Sequence, residues 1–191
     1  MEKVELNKDI KLSPHFTLGE LTKTKYVTAD GNIPSRAVIE NLKRICGWLE
    51  ELRVLAGVRP QSKVCAGVRP QSKVAGYCTL APDPVAALDP GAAQSAWNEV
   101  PIVINSGYRS PVVNRLAGGA TNSNHLTGCA VDIRCAGKEQ MIRYASILLD
   151  IADGTKQEFD EMLLEQHGSV CWLHFAVRPK DNRRKINFLK A

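Results

Sequence analysis

An α+β fold, with helices packed against a small antiparallel sheet, is the class this sequence predicts, and three observations predict it. A long amphipathic helical pattern lies in the first third of the chain, short β-branched or alternating apolar runs cluster in the second half, and another helical pattern separates those runs. At 191 residues and 44% apolar content the chain can bury one substantial core, so a single domain over residues 1–191 is expected.

In chain order, His15 to Leu21 reads as the start of a short helix. Thr17 is its cap, Glu20 completes a capping box, and Phe16 and Leu21 stand where a hydrophobic staple places them. From Ser35 to about Ala56, the residues Val38, Ile39, Leu42, Ile45, Leu49, Leu52 and Leu55 recur at helical spacing. The segment Ala56–Val64 then recurs unchanged as Ala66–Val74, on either side of Cys65. Two such copies are too few and too short for a solenoid, whose repeats run to about twenty residues or more. Prolines 82, 84 and 90 follow without periodicity, so about 57–98 is expected to be a flexible surface insertion whose removal leaves the fold intact.

Pro101–Asn105 reads as a buried strand. Ser110 can cap a helix with Pro111 at its first position and Gly118–Gly119 beyond its end. Lys138 to Ala152 carries Met141, Tyr144, Ala145, Leu148 and Ile151 at helical spacing, and Gly154 is expected to stop that helix. Two strands, about Phe159–Gln166 and Val170–Arg178, then form a hairpin around His167-Gly168-Ser169.

Composition excludes several function classes. The net charge of +5 is spread without a run of five basic residues, which argues against nucleic acid as a partner. No membrane span occurs, and the charged stretch Met1–Ile10 lacks the apolar core of a secretory signal. Synthesis in the cytoplasm is therefore expected. The six cysteines lack the CxxC spacing of a structural zinc site and read as mostly free thiols, although the spacing of Cys129 and Cys135 would permit a disulfide.

Chemistry concentrates between Ser106 and His174. His125 and Asp132 flank a small-residue turn that leads into a strand, so both side chains can point at one location. In Cys171–Val177, alternation sets Trp172, His174 and Ala176 on one face and Leu173, Phe175 and Val177 on the other. A histidine in such a run needs a partner if it is buried. A zinc ion held by His125, Asp132 and His174 would supply one and leave a fourth position open for water. A hydrogen-bonded core histidine would equally satisfy this spacing.

Taken together, Ser106-Gly107-Tyr108-Arg109-Ser110, the Ser-x-His-x-x-Gly-x-Ala-x-Asp pattern from Ser123 to Asp132, and Trp-x-His at Trp172–His174 resemble the zinc D-Ala-D-Ala carboxypeptidase family. That family includes vancomycin-resistance dipeptidases and phage L-Ala-D-Glu endolysins and shares its fold with the Hedgehog signalling domain. The opening Phe16–Glu20 and the helix after Ser35 are similar to its small bacterial and phage members. The resemblance implies a Hedgehog/DD-peptidase-like fold and a zinc peptidase acting on peptidoglycan stem peptides or their cross-links. It also implies that His125, Asp132 and His174 are the zinc ligands, that Arg109 holds a substrate carboxylate or the developing oxyanion, and that Ser123 hydrogen-bonds substrate near the metal. A mildly basic surface suits such an anionic polymer, and a monomer is expected. A phage or prophage lysis enzyme released by another protein is the setting that the resemblance suggests, with a cytoplasmic recycling role as the alternative.

One departure matters. Relatives place a Glu or Asp as general base three residues before the last histidine, where this chain has Cys171. A thiol does not take over that proton shuttle, so either the base comes from elsewhere or the protein is impaired. With a three-residue hairpin loop, Glu165 falls opposite Cys171, with β-carbons about 5 Å apart, and becomes the expected base, given a bulge near Cys171. A two- or four-residue loop would leave Glu161 or Asp160 as weaker choices. Two rivals remain, a zinc-containing wall-binding module without catalysis and a structural protein without metal.

Overall fold

The computed structural model describes residues 7–57 and 101–190. The expected insertion at about 57–98 and the duplicated segment lie outside these residues, save for Ala56 and Gly57, which belong to a helix.

Helix α1 (Leu18–Leu21) begins at Thr17, whose hydroxyl accepts from the Glu20 amide while the Glu20 carboxylate accepts from the Thr17 amide, as the capping pattern predicts. Phe16 and Leu21 are both buried beside it. Helix α2 (Arg36–Gly57) buries Leu42, Ile45, Cys46, Leu49 and Leu52, one stripe at helical spacing. Strand β1 (Ile104–Ser106) is shorter and later than the apolar run suggests. Helix α3 (Pro111–Leu116) has Ser110 as its cap and Pro111 at its first position. A 3₁₀ turn (Asn124–Thr127) leads into β2 (Ala130–Cys135).

Helix α4 (Lys138–Thr155) runs through Gly154 and ends where Lys156 takes a left-handed conformation, φ 57°. The expected stop at Gly154 is thus corrected. Glycine costs only about 1 kcal/mol within a helix, and the buried stripe from Met141 to Ala152 outweighs it. Strands β3 (Glu161–His167) and β4 (Val170–Ala176) form the hairpin, and β5 (Lys185–Lys190) closes the sheet.

The strand order is β1-β2-β4-β3-β5, antiparallel except that β5 runs parallel to β3. The α+β class therefore stands, with a mixed five-stranded sheet. Helices α2 and α4 contribute to the core on one face of it, where Trp48 meets Phe175 (ring centroids 5.3 Å apart) and Phe159 packs on Phe175 (5.8 Å). Alternation sends Val131, Ile133, Met162, Leu164, Leu173 and Phe175 to this core face. Asp132, Leu163, Glu165, Trp172 and His174 share the opposite face, which is the floor of a groove. No helix among the described residues is long and apolar enough to cross a membrane.

The hairpin departs from its expected register. His167 pairs with Val170, so the connection is the two-residue turn Gly168–Ser169, with Gly168 at φ 57° as the first central position of a tight hairpin turn favours. Gln166 therefore pairs with Cys171, and Glu165 with Trp172.

Candidate metal centre

His125, Asp132 and His174 are all buried, and their ligand atoms lie within 4.8 Å of one another. Asp132 and His174 are direct cross-strand partners on β2 and β4, and the 3₁₀ turn brings His125 over them. Asp132 Oδ1 stands 3.2 Å from His125 Nε2 and 2.9 Å from His174 Nδ1. Burial works to raise the Asp132 carboxyl, but the two imidazoles overcome it and hold the group below the usual carboxylate range.

Each residue of the sequence patterns has a local reason. Ser123 caps the 3₁₀ turn by accepting from the His125 amide at 3.3 Å. Gly128 ends that turn at φ 68°, and a Cβ there would meet Val38 Cγ1 of α2 at 2.7 Å. Ala130 leaves room for its partner Ala176, both fully buried. Gly107 lets the chain pass against the Leu21 carbonyl, where a side chain would collide. Its own carbonyl accepts from His125 Nδ1 at 2.6 Å.

That last contact tests the donor set for a cation. With the Nδ1 proton of His125 given to Gly107, Nε2 carries a lone pair and faces a carboxylate oxygen that can only accept. A second proton or a cation must lie between them. Two imidazoles and one carboxylate, with one imidazole oriented by a backbone carbonyl, are the donors and supporting shell that zinc takes in three-ligand catalytic sites. The residues present therefore fit a zinc ion.

The groove over these three residues has a volume of about 590 Å³. Arg109 lies in it, and its guanidinium donates to Ser106 Oγ (2.8 Å) and to Asp132 Oδ2 (2.5 Å). It is thus turned first toward the ligand carboxylate. Ser123 lines the groove as well as capping its turn.

Glu165 lines the same groove, but not by the expected route. Cys171 is buried on the core face beside its partner Cys135, so neither a bulge there nor a contact with Cys171 brings Glu165 to the site. The two-residue turn pairs Glu165 with Trp172, on the His174 face. Burial raises the Glu165 carboxyl pKa; His174 opposes the rise, Asp132 adds to it, and a hydrogen bond from the Trp172 side chain and the charge of Arg109 oppose it. Asp160, by contrast, is fully buried away from the ligands and accepts from Arg183 and Asn124, which overcome burial and lower its pKa. His167 is exposed at the turn. Cys46, Cys129, Cys135 and Cys171 are free thiols.

Sequence reasoning gave no site role to Asn124, Arg183 or Lys185, all of which line the groove. It held Glu161 only as a substitute base. Counting back by twos from Glu165 would have put Glu161 on the groove face. Arg183 and Lys185 arrive from the loop before β5 and from its first residue, where the sequence lacks a clean strand alternation.

The peptidase M15 family model matches residues 68–159, which include Arg109, Ser123, His125 and Asp132. No curated protein matches the chain.

Proposed function

We propose, from the match of residues 68–159 to the peptidase M15 family, whose members are metal-dependent peptidases that typically use zinc, that the chain hydrolyses peptide bonds in the stem peptides or cross-links of bacterial peptidoglycan. The observation that carries the reading is the convergence of His125, Asp132 and His174 beneath a groove in which Glu165 stands on the same sheet face.

These three side chains would hold the ion, which when bound supplies Lewis acidity to the scissile carbonyl and to the attacking water. Glu165 takes the proton that water loses as its oxygen adds to the carbonyl carbon. The same carboxyl then gives that proton to the leaving amine as the C–N bond breaks. A raised carboxyl pKa suits both halves of this shuttle, and the Trp172 side chain, opposite Glu165, orients it. Arg109 keeps Asp132 oriented and presents its remaining N–H groups to substrate oxygen. Ser123 stands at the groove wall, where its hydroxyl can donate to a substrate carbonyl.

Glu161 is a poorer base. Its Oε1 lies 3.0 Å from Arg183 Nη2 and 3.2 Å from Lys185 Nζ, and its Oε2 accepts from Asn124 at 3.2 Å. Both of its oxygens are thus already engaged by other side chains, which leaves neither free to face an attacking water.

Purified protein, zinc-loaded or chelator-treated, is incubated with peptidoglycan and the soluble fragments are read by mass spectrometry. Zinc-dependent new amino and carboxyl ends are expected, and their masses distinguish loss of a terminal D-Ala from cleavage after L-Ala. Retention of the loaded protein on the wall without new ends would favour a binding module instead, and failure to take up metal would overturn the centre.

A further inference from the structure

Resting on the metal-centre reading above, we infer that Glu161 is a positioning residue that fixes both histidine ligands, acting on His174 through its outer ring nitrogen and on His125 through Asn124. His174 turns Nδ1 toward Asp132 at 2.9 Å, so its remaining nitrogen, Nε2, points away from the centre and stands 4.0 Å from Glu161 Oε2. A neutral imidazole that offers the Nδ1 lone pair carries its proton on Nε2, and at 4.0 Å the Glu161 carboxylate favours that tautomer by its charge rather than by a direct hydrogen bond. His125 has its equivalent partner in the Gly107 carbonyl. For His174 the group in that place is Glu161.

The second arm runs through Asn124, the neighbour of His125 in the 3₁₀ turn. Its amide donates to Glu161 Oε2 at 3.2 Å and to Asp160 Oδ2 at 2.8 Å, clipping the turn to the start of β3. Glu161 Oε1 is held by Arg183 and Lys185, so these two cations fix where Oε2 lies. Oε2 is thus shared between the outer face of one histidine and the residue next to the other.

The test compares full-length wild type with Glu161→Gln, Glu161→Asp and Lys185→Ala. Zinc affinity is measured by competition with a chromogenic chelator, and the His174 tautomer by ¹⁵N chemical shifts in metal-free and zinc-loaded protein. Glu161→Gln is expected to weaken zinc roughly 10- to 100-fold and to lose the pure Nε2–H pattern of His174, with its circular dichroism unchanged. Glu161→Asp should recover part of both losses, which a purely structural role would not predict. Lys185→Ala perturbs the fold less and should shift the same two readouts in the same direction by a smaller factor. If Glu161→Gln folds poorly, the wild-type tautomer decides: Nδ1–H on His174 in both forms overturns the inference. So does wild-type zinc affinity in a folded Glu161→Gln. Wild type that takes up no zinc overturns the metal centre itself, a result distinct from either.

Discussion

Asp132 is the side chain on which the site's charges meet, since both imidazoles face its Oδ1 and the Arg109 guanidinium its Oδ2. Replacing His125, Asp132 or His174 by Ala should leave each variant with little or no zinc by elemental analysis, because two donors seldom hold the ion. Full occupancy in all three would refute the ligand set. Glu165→Gln should keep zinc and cost about 10²- to 10⁴-fold in turnover. As a base, Glu165 must be ionised, and its raised pKa moves the acid limb of the rate profile above that of an ordinary glutamate. The folded state then binds its proton more tightly than the unfolded chain, so ionised Glu165 weakens the fold at neutral pH. The neutral Gln should therefore leave the melting temperature unchanged or higher while activity falls. Cys171→Glu tests the other acidic position. Cys171 faces the core at 3% exposure, so the new carboxylate would be buried among Leu173 and Cys135 rather than delivered to the groove. A loss of about 3 kcal/mol or more in chemical denaturation is expected, without gain of activity. Local motif spacing and strand alternation could place His125, Asp132 and His174 toward one location, but it was the family resemblance that made them a ligand set. The route of Glu165 was not legible, since it depends on one residue of hairpin loop length, to which the sequence His167-Gly168-Ser169 is indifferent.

At the scale of elements, Asp160 ties together the 3₁₀ turn, the start of β3 and the loop before β5. It accepts from Asn124 at 2.8 Å, from Arg183 Nε and Nη2 at 2.8 and 2.7 Å, and from Arg178 at 3.4 Å. Asp160→Asn should destabilise the protein by about 2–4 kcal/mol, since the arginines are left facing a buried neutral group. The sign with pH follows from its lowered pKa. The stabilisation is present above the unfolded value of about 3.9 and is lost as pH falls through the folded value. Urea titrations near pH 7 and pH 3 should therefore differ less for Asp160→Asn than for wild type, and equal differences would remove Asp160 from that role. The helices were the most readable elements. Thr17 with Glu20 and Ser110 with Pro111 act within a single turn of chain, so their chemistry is complete in four residues. Strand β5 was missed because it pairs in parallel with β3, reached across β4 and a loop rather than by a hairpin, and because Ile186, Phe188 and Leu189 remain exposed and give no clean alternation.

Across the whole molecule, the strand order places β2, β4 and β3, which carry Asp132, His174 and Glu165, side by side in the middle of the sheet, flanked by β1 and β5. Backbone pairing on both sides makes those strands the stiffest support available, which suits side chains that must hold a fixed geometry. Asp132 and His174 touch in space while standing 42 residues apart in the chain. An ion shared between them would therefore act as a cross-link closing a long loop that contains all of α4 and β3. Cross-links of that span act largely by restricting the unfolded chain. At about 100 times its dissociation constant, zinc should add about 2.7 kcal/mol to the stability of the native state, and should do so in wild type but not in His174→Ala. Amide hydrogen exchange would map where that gain is felt. Protection should rise most in α4 and the hairpin, which lie inside the closed loop, and least in α1 and α2, which lie outside it. A single ion beneath the groove would then govern how often a helix on the far side of the sheet opens.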